Sequence, residues 1–216
     1  MKKYGAFIFD LDGTLMNTLG DLTDATNHIL SVHGFPVRTE AEVRTFVGNG
    51  ARNQLRGALP KEVSEEELDR LVTEYKAYYA CHCDIRTCPY EGTAELLTAL
   101  KSRGVPMAIV TNKPDEAAQV LCKKWFGEWI NVVVGEKAGT PRKPAGDMVH
   151  IALRKLGVDP GCAVYVGDSE VDLATARNSG LDCISCLWGF RNRDLLESLG
   201  ADKLVETPEE ILSYVE

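Results

Sequence analysis

Short apolar runs, most of them followed by a helical pattern that closes on glycine, constrain the fold of this chain more than any other feature. The runs cover residues 4–9, 106–110, 131–134, 163–166 and 182–187, with a weaker one at 203–205. Each is near-continuously apolar and rich in Val or Ile, as a parallel strand covered on both faces has to be. The helical patterns end in Lys101-Ser102-Arg103-Gly104, Lys155-Leu156-Gly157, Asn178-Ser179-Gly180 and Ser198-Leu199-Gly200. Glycine sits there where a helix C-terminus wants a left-handed residue. Strand, helix, glycine and strand again is the rhythm of βαβ units. It predicts an α/β protein with a doubly wound, Rossmann-like parallel sheet.

One stretch breaks the rhythm. From Met16 to about Pro89 no convincing strand is legible, and residues 19–32, 40–47, 51–59 and 65–80 read as four helices. They are separated by His33-Gly34-Phe35-Pro36, Gly48-Asn49-Gly50 and Leu59-Pro60. The expected organisation is an α/β core from residues 1–15 and 90–216, with residues 16–89 inserted as a helical cap over the carboxyl ends of the strands. The linkers at 16–18 and 86–89 are its natural hinges.

Composition narrows the function classes. The 216 residues are 44% hydrophobic and 26% charged, enough for a full core. The formal net charge is −8, from 24 basic and 32 acidic residues with no long basic run, which argues against nucleic acid as a major partner. A small anionic substrate needs only a local basic pocket. No apolar run approaches the roughly 18 residues of a membrane span. The start Met1-Lys2-Lys3 resembles the head of a signal peptide, but the apolar stretch after it is cut short by Asp10 and Asp12. A signal peptide needs about 7–15 apolar residues there. Seven cysteines, an odd number in a chain too long to need staples, point to a reducing cytoplasm.

The chemistry-bearing residues gather at predicted strand ends. The first strand runs into Phe9-Asp10-Leu11-Asp12-Gly13-Thr14, where carboxylates two apart on an extended segment share a side. The second apolar run ends in Thr111-Asn112. A later one ends in Gly167-Asp168-Ser169, with Asp172 one helical turn beyond Asp168 and expected on the same face. Pro141-Arg142-Lys143-Pro144 places a cation just before a helix. Open α/β sheets bind ligands at the carboxyl ends of their strands. Four acids crowded there repel one another unless a hard cation neutralises them, and an all-oxygen ligand set suits Mg²⁺.

Asp10-Leu11-Asp12-Gly13-Thr14, Thr111-Asn112, Lys143 and Gly167-Asp168-Ser169-x-x-Asp172 resemble, in order, the four motifs of the haloacid dehalogenase superfamily. The insertion is similar to that superfamily's helical C1 cap. Phe46-Val47-Gly48-Asn49-Gly50-Ala51-Arg52, Leu187-Trp188-Gly189-Phe190-Arg191 and the tail from Gly200 to Leu212 resemble its phosphoglycolate phosphatase-like branch. The resemblance implies a phosphoric monoester hydrolase working through an aspartyl-phosphate. Asp10 would be the nucleophile and Asp12 the general acid, then base. A halide leaves without a proton, so the presence of Asp12 favours phosphoryl transfer. Mg²⁺ would be held by Asp10, the Asp12 carbonyl and Asp168, with Asp172 as a further ligand or water holder. Thr111, Asn112 and Lys143 would bind the phosphoryl group, and Lys143 would also offset Asp10.

Substrate choice is expected in the cap. Gly48, Asn49 and Gly50 can bring backbone N–H groups to an anion, and Arg52 can clamp a carboxylate. The leading substrate is 2-phosphoglycolate. The alternatives are pyrophosphate, a sugar phosphate or a nucleotide monophosphate, a phosphomutase of the β-phosphoglucomutase type, and a non-enzymatic binding protein. A monomer or homodimer is expected. One departure is that Lys143-Pro144-Ala145-Gly146 carries Gly where the family often has a second proline. It predicts an altered helix start with the lysine retained, and Lys137 and Arg142 are its rivals. Cys81, Cys83 and Cys88 have the wrong spacing for structural zinc. Cys183 and Cys186 lie within a strand, not at a helix start as a redox pair does. Trp125, Phe126 and Trp129 read as packing, and His28, His33 and His150 as ordinary helix or turn residues.

Overall fold

The first strand, β1 (Ala6–Phe9), is buried along its length. In the computed structural model, which describes residues 2–216, the chain then leaves through β2 (Met16–Asn17) into α1 (Leu19–Val32), α2 (Glu40–Phe46), α3 (Gly50–Ala58) and α4 (Glu65–His82). It returns through β3 (Cys88–Pro89) to α5 (Thr93–Ser102), β4 (Met107–Pro114), α6 (Asp115–Phe126), β5 (Val132–Glu136) and α7 (Asp147–Leu156). The last elements are β6 (Ala163–Gly167), α8 (Glu170–Ser179), β7 (Asp182–Cys186), α9 (Arg193–Ser198) and β8 (Leu204–Val205). Met1, the first residue of the charged start, lies outside the described residues. The chain divides into two units, Met1–Met16 with Pro89–Glu216 and Asn17–Cys88.

In the first unit the strands form one sheet in the order β5-β4-β1-β6-β7-β8, every neighbouring pair parallel. The strand alternation sorts side chains onto two apolar layers. Phe7, Phe9, Ile109, Val164 and Val166 pack with Leu97 and Leu100 of α5 and Leu121 and Phe126 of α6. Ala6, Ile8, Ala108, Val110 and Tyr165 face α7 and α8 through Met148, Val149, Ala152 and Ala176. Trp125 and Trp129 pack against the first layer. Gly157 and Gly180 close α7 and α8 in the left-handed conformation. Chain order reverses at β1: the next sheet strands lie to one side, at β4 and β5, and the chain then returns to β6 on the other. The crevice at the carboxyl end of such a switch-point strand is where open α/β sheets bind ligands.

Two expectations change here. The strand expected to end at Val110 continues to Pro114, with a register shift between Val110 and Pro114. Thr111, Asn112 and Lys113 are therefore carried in strand conformation past the regular ladder. The stretch expected to lack strands holds β2 and β3, which pair as a two-residue ribbon where the chain leaves and re-enters the core. Two residues are too few for any periodicity to show.

The second unit is a four-helix module. Leu22, Ala25, Ile29 and Leu30 of α1, Val43 of α2, Leu55 and Ala58 of α3, and Leu68, Leu71 and Tyr75 of α4 are buried. Thr39 and Glu42 form a capping box at α2, and Ser64 accepts from the Glu67 amide at α4. Inside, the Gln54 amide donates to Thr26 Oγ1 at 2.8 Å and Tyr75 Oη at 3.1 Å. Asp21, 1% exposed, accepts from the backbone amides of Ile85, Arg86 and Thr87 at 3.0, 2.9 and 3.0 Å. That carboxylate pins the segment that leads back to β3.

Candidate active site

Asp10 is delivered by the central strand at the point where β1 stops, and its amide donates to the Val166 carbonyl at 2.8 Å. The chain then turns through Gly13 at φ +89°. A Cβ there would lie 2.5 Å from Asp168 Oδ2, so both the backbone sign and the close approach demand glycine. Thr14 Oγ1 donates to Asp168 Oδ1 at 3.1 Å and the Phe190 amide to Oδ2 at 2.7 Å. The Trp188 indole donates to the Thr14 carbonyl at 2.9 Å. The segment 188–190 thus holds both the turn and Asp168.

Lys143, 1% exposed, is a buried cation at the end of β1. Its ammonium lies 2.8 Å from Asp10 Oδ1 and 2.8 Å from Asp172 Oδ1, and it donates to Tyr165 Oη at 3.0 Å. Tyr165 in turn donates to the Val110 carbonyl at 3.2 Å. The rival Lys137 is exposed and faces Asp115 at 3.8 Å, and Arg142 is only partly buried. The departure at Gly146 has a steric reason: a Cβ there would meet the Asn178 carbonyl oxygen at 2.8 Å. Helix α7 starts at Asp147, with Gly146 as its N-cap.

Asp168 does not lie on the helix that carries Asp172, because α8 begins at Glu170. The two acids meet for another reason. Asp172 Oδ2 accepts from the Asp168 amide at 3.1 Å, the Ser169 amide at 3.0 Å and Ser169 Oγ at 2.7 Å. Asp172 closes a capping box and braces Lys143, so both of its oxygens already have protein donors. Although burial works against it, Lys143 and Ser169 hold its carboxyl below the usual range.

Thr111 and Asn112 sit at the continuation of β4. The Lys113 amide donates to Thr111 Oγ1 at 3.1 Å, which leaves the hydroxyl hydrogen to point elsewhere. Asn112 Nδ2 donates to the Lys143 carbonyl at 3.1 Å, tying that loop to the strand. Sequence reasoning missed Lys113, whose ammonium lies 3.0 Å from Asp12 Oδ1, and Tyr165, hidden in an apolar run. A tyrosine in a buried strand carries a hydroxyl that must find a partner, which is the signal that could have flagged it. Also unforeseen is the Arg191–Glu170 pair, joined at 2.7 and 2.9 Å.

The site gathers three buried carboxyl groups, Asp10, Asp168 and Asp172, with oxygens within 4.8 Å of one another, and the Lys143 ammonium meets two of them. Burial pushes Asp168 up to about 7, aided by Asp172 and opposed by the Phe190 amide and Thr14. Burial also raises Asp10 well above the carboxylate range; Lys143 opposes this, and Asp172 and Asp168 add to it. An all-oxygen, charge-deficient cluster of this kind fits a divalent cation. A pH dependence follows. Folded, metal-free protein keeps the Asp168 proton up to about pH 7, whereas the unfolded chain releases it near 3.8. Stability of the metal-free protein therefore falls as pH rises between those values. A cation that displaces the proton binds more tightly over the same range. Thermal melts with and without a divalent salt should show a larger metal-induced rise in Tm at pH 8 than at pH 5.5. An equal rise at both pH values would contradict the assignment.

The cap residues expected to choose substrate all lie in the Asn17–Cys88 unit. Gly48 and Gly50 have φ of +110° and +75° and lead into the first turn of α3. Arg52 is already paired, at 2.7 Å to Glu65 Oε2 and 3.0 Å to Asp69 Oδ1, within its own unit. The cysteines are free thiols, Cys183 and Cys186 on β7. His28 stacks on Tyr78 and His33 pairs with Glu74, while His150 lies on α7.

Comparison with known proteins agrees with this geometry. Residues 7–186 match the family model described as haloacid dehalogenase-like hydrolase. A phosphoglycolate phosphatase of Xanthomonas campestris is 33% identical, over 98% of this chain and 96% of its own. An N-acetylmuramic acid 6-phosphate phosphatase of Pseudomonas aeruginosa is 30% identical, over 98% and 94%. Among solved structures, a candidate phosphoglycolate phosphatase of Lactobacillus delbrueckii subsp. bulgaricus superposes with a TM-score of 0.91 at 37% identity, covering 97% of each chain. No helix among the described residues is long and apolar enough to cross a membrane. The chain belongs to the haloacid dehalogenase-like hydrolase family and is a hydrolase of the phosphatase kind.

Proposed function

We propose that this phosphatase hydrolyses small carboxylate-bearing phosphomonoesters through a phosphorylated Asp10, with 2-phosphoglycolate as the leading substrate. The observation that carries the mechanism is the Lys143 ammonium 2.8 Å from Asp10 Oδ1, at the end of the switch-point strand. In the first step an Asp10 carboxylate oxygen attacks phosphorus, the bond to the ester oxygen breaks, and Asp12 gives its proton to the departing alkoxide. In the second step Asp12 takes a proton from water, the water oxygen attacks phosphorus, the bond to Asp10 breaks, and inorganic phosphate leaves. Lys143 and the hydroxyl of Thr111 donate to the phosphoryl oxygens, where charge builds. Asn112 keeps the Lys143 loop in place. Asp10, the Asp12 carbonyl and Asp168 would hold Mg²⁺, which supplies Lewis-acid charge stabilisation when bound. Asp172, with both oxygens engaged, is read as the brace of Lys143 more than as a direct ligand.

Residues 17–88 are read as the cap that chooses the substrate, with the backbone amides of the Gly48-Asn49-Gly50 turn as its candidate anion contacts. The substrates named for both relatives are carboxylic acids esterified with phosphate, which supports that substrate class. The Pseudomonas relative makes an amino-sugar phosphate the second reading. Arg52 acts as a carboxylate clamp only if substrate draws it from Glu65 and Asp69.

The test is phosphate release with and without Mg²⁺ from 2-phosphoglycolate, N-acetylmuramic acid 6-phosphate, pyrophosphate, glucose phosphates, nucleotide monophosphates and p-nitrophenyl phosphate. The expected result is metal-dependent turnover of 2-phosphoglycolate with kcat/KM of about 10⁴ M⁻¹s⁻¹ or more. A clear lead for the amino-sugar phosphate would move the substrate to the second reading. Phosphate release from no ester, or isomerisation of a sugar phosphate instead, would overturn the hydrolase mechanism.

A further inference from the structure

Lys113 is a buried, charged residue beside Asp12 that the mechanism above does not use. Its side chain is 2% exposed, where lysines almost never sit without a partner. It follows Thr111 and Asn112 on the extended end of β4, and its ammonium is 3.0 Å from Asp12 Oδ1. Cys122 of α6 lies close enough to feel both charges: burial pushes the thiol up to about 12, with Asp12 adding to the rise and Lys113 opposing it. Asp12 Oδ1, the atom that meets the Lys113 ammonium, is itself buried. Of the two acids on the Asp10–Asp12 turn, Asp12 is the more open, with its side chain 19% exposed against 9% for Asp10. An aspartate carboxylate turns about two side-chain torsions unless something holds it.

We propose that Lys113 is a positioning residue for the proton-transfer step, holding the Asp12 carboxyl toward the leaving-group side through this ion pair. The proposal rests on the reading of Asp12 as general acid and base. The same residue acts twice, because its backbone amide also orients the Thr111 hydroxyl. One residue on β4 thus sets both a phosphoryl donor and the proton donor of the leaving group. A general acid contributes about 10²–10⁴-fold, and much of that depends on holding the proton within hydrogen-bond reach of the departing oxygen.

The experiment compares two leaving groups. Alkoxide departure from an alkyl phosphomonoester needs a proton, whereas p-nitrophenolate leaves without one. The ratio kcat/KM reports only steps up to transfer onto Asp10. The variants Lys113→Met, Lys113→Arg and Asp12→Asn are assayed on p-nitrophenyl phosphate and on 2-phosphoglycolate, or on the alkyl phosphomonoester turned over fastest in the panel above. Lys113→Met should lose about ten- to a hundredfold in kcat/KM on the alkyl ester and stay within about threefold on the aryl ester. Lys113→Arg should recover most of the loss, and the double variant Asp12→Asn/Lys113→Met should be no slower on the alkyl ester than Asp12→Asn alone. Equal losses on both esters would mark a merely structural lysine and overturn the proposal, as would no loss on either. Should Asp12→Asn itself lack the leaving-group selectivity, the assignment of Asp12 fails, and the proposal with it. A selective Asp12→Asn beside an unselective Lys113→Met sinks the proposal alone. If Lys113→Met does not fold, Lys113→Gln carries the same comparison.

Discussion

Asp10→Asn is expected to lower turnover by about 10⁴-fold or more while leaving the fold intact, since removal of a nucleophile collapses the machinery built around it. The carboxamide keeps the shape of the carboxylate and an oxygen that can accept from Lys143. It cannot attack phosphorus as a carboxylate does. It also removes one of three buried carboxyl groups whose oxygens lie within 4.8 Å of one another. The melting temperature of the metal-free variant should therefore match or exceed that of the wild type. A variant that unfolds would show that Asp10 is needed for structure. One that keeps substantial activity would show that the nucleophile lies elsewhere.

Lys143→Met is expected to damage both activity and stability. The ammonium stands between Asp10 and Asp172, both buried, with Tyr165 as its third partner. Burial alone would lower the lysine's proton affinity, and the two carboxylates more than reverse that, so it stays charged. Removing it leaves two buried acids without their cation in a dry site, a loss of about 3–5 kcal/mol. For a chain of this size each kcal/mol is worth roughly 2–4 °C, so the metal-free protein should melt roughly 10 °C lower. Turnover should fall about 10²–10³-fold, because a donor to the transferring phosphoryl oxygens is gone. A wild-type melting temperature would contradict the charge balance described here, and unchanged turnover would contradict the lysine's contact with substrate.

The fold was legible where apolar periodicity and chain-reversal signals agreed. The strand starting at Ala163 and the helices beginning at Leu19, Glu40 and Glu65 appear where the apolar run and the helical patterns place them. What escaped notice depends on pairing across the chain. The ribbon of β2 and β3 is held by partners more than seventy residues apart and has no pattern of its own. The continuation of β4 to Pro114 is polar, so it read as a loop, although strand pairing carries it on.

The same division runs through the site. Carboxylates at strand ends were visible because apolar runs stop at them. The roles of Asp172, Asn112 and Arg52 depend on which donor or acceptor each one finds. Asp172 caps its own helix and braces Lys143, Asn112 ties the Lys143 loop, and Arg52 pairs with Glu65 and Asp69. Lys113 was passed over because a lysine in a polar segment reads as solvated, and only the folded chain shows it buried against Asp12.

The central claim is a covalent phosphoryl group on Asp10. Acid quenching in the first turnovers on a radiolabelled phosphomonoester, followed by borohydride reduction and peptide mass spectrometry, tests it directly. The account predicts a hydroxylamine-labile phosphoenzyme whose reduction leaves homoserine at position 10. Label on any other residue, or phosphate release at full rate with no labelled protein at any quench time, would contradict it.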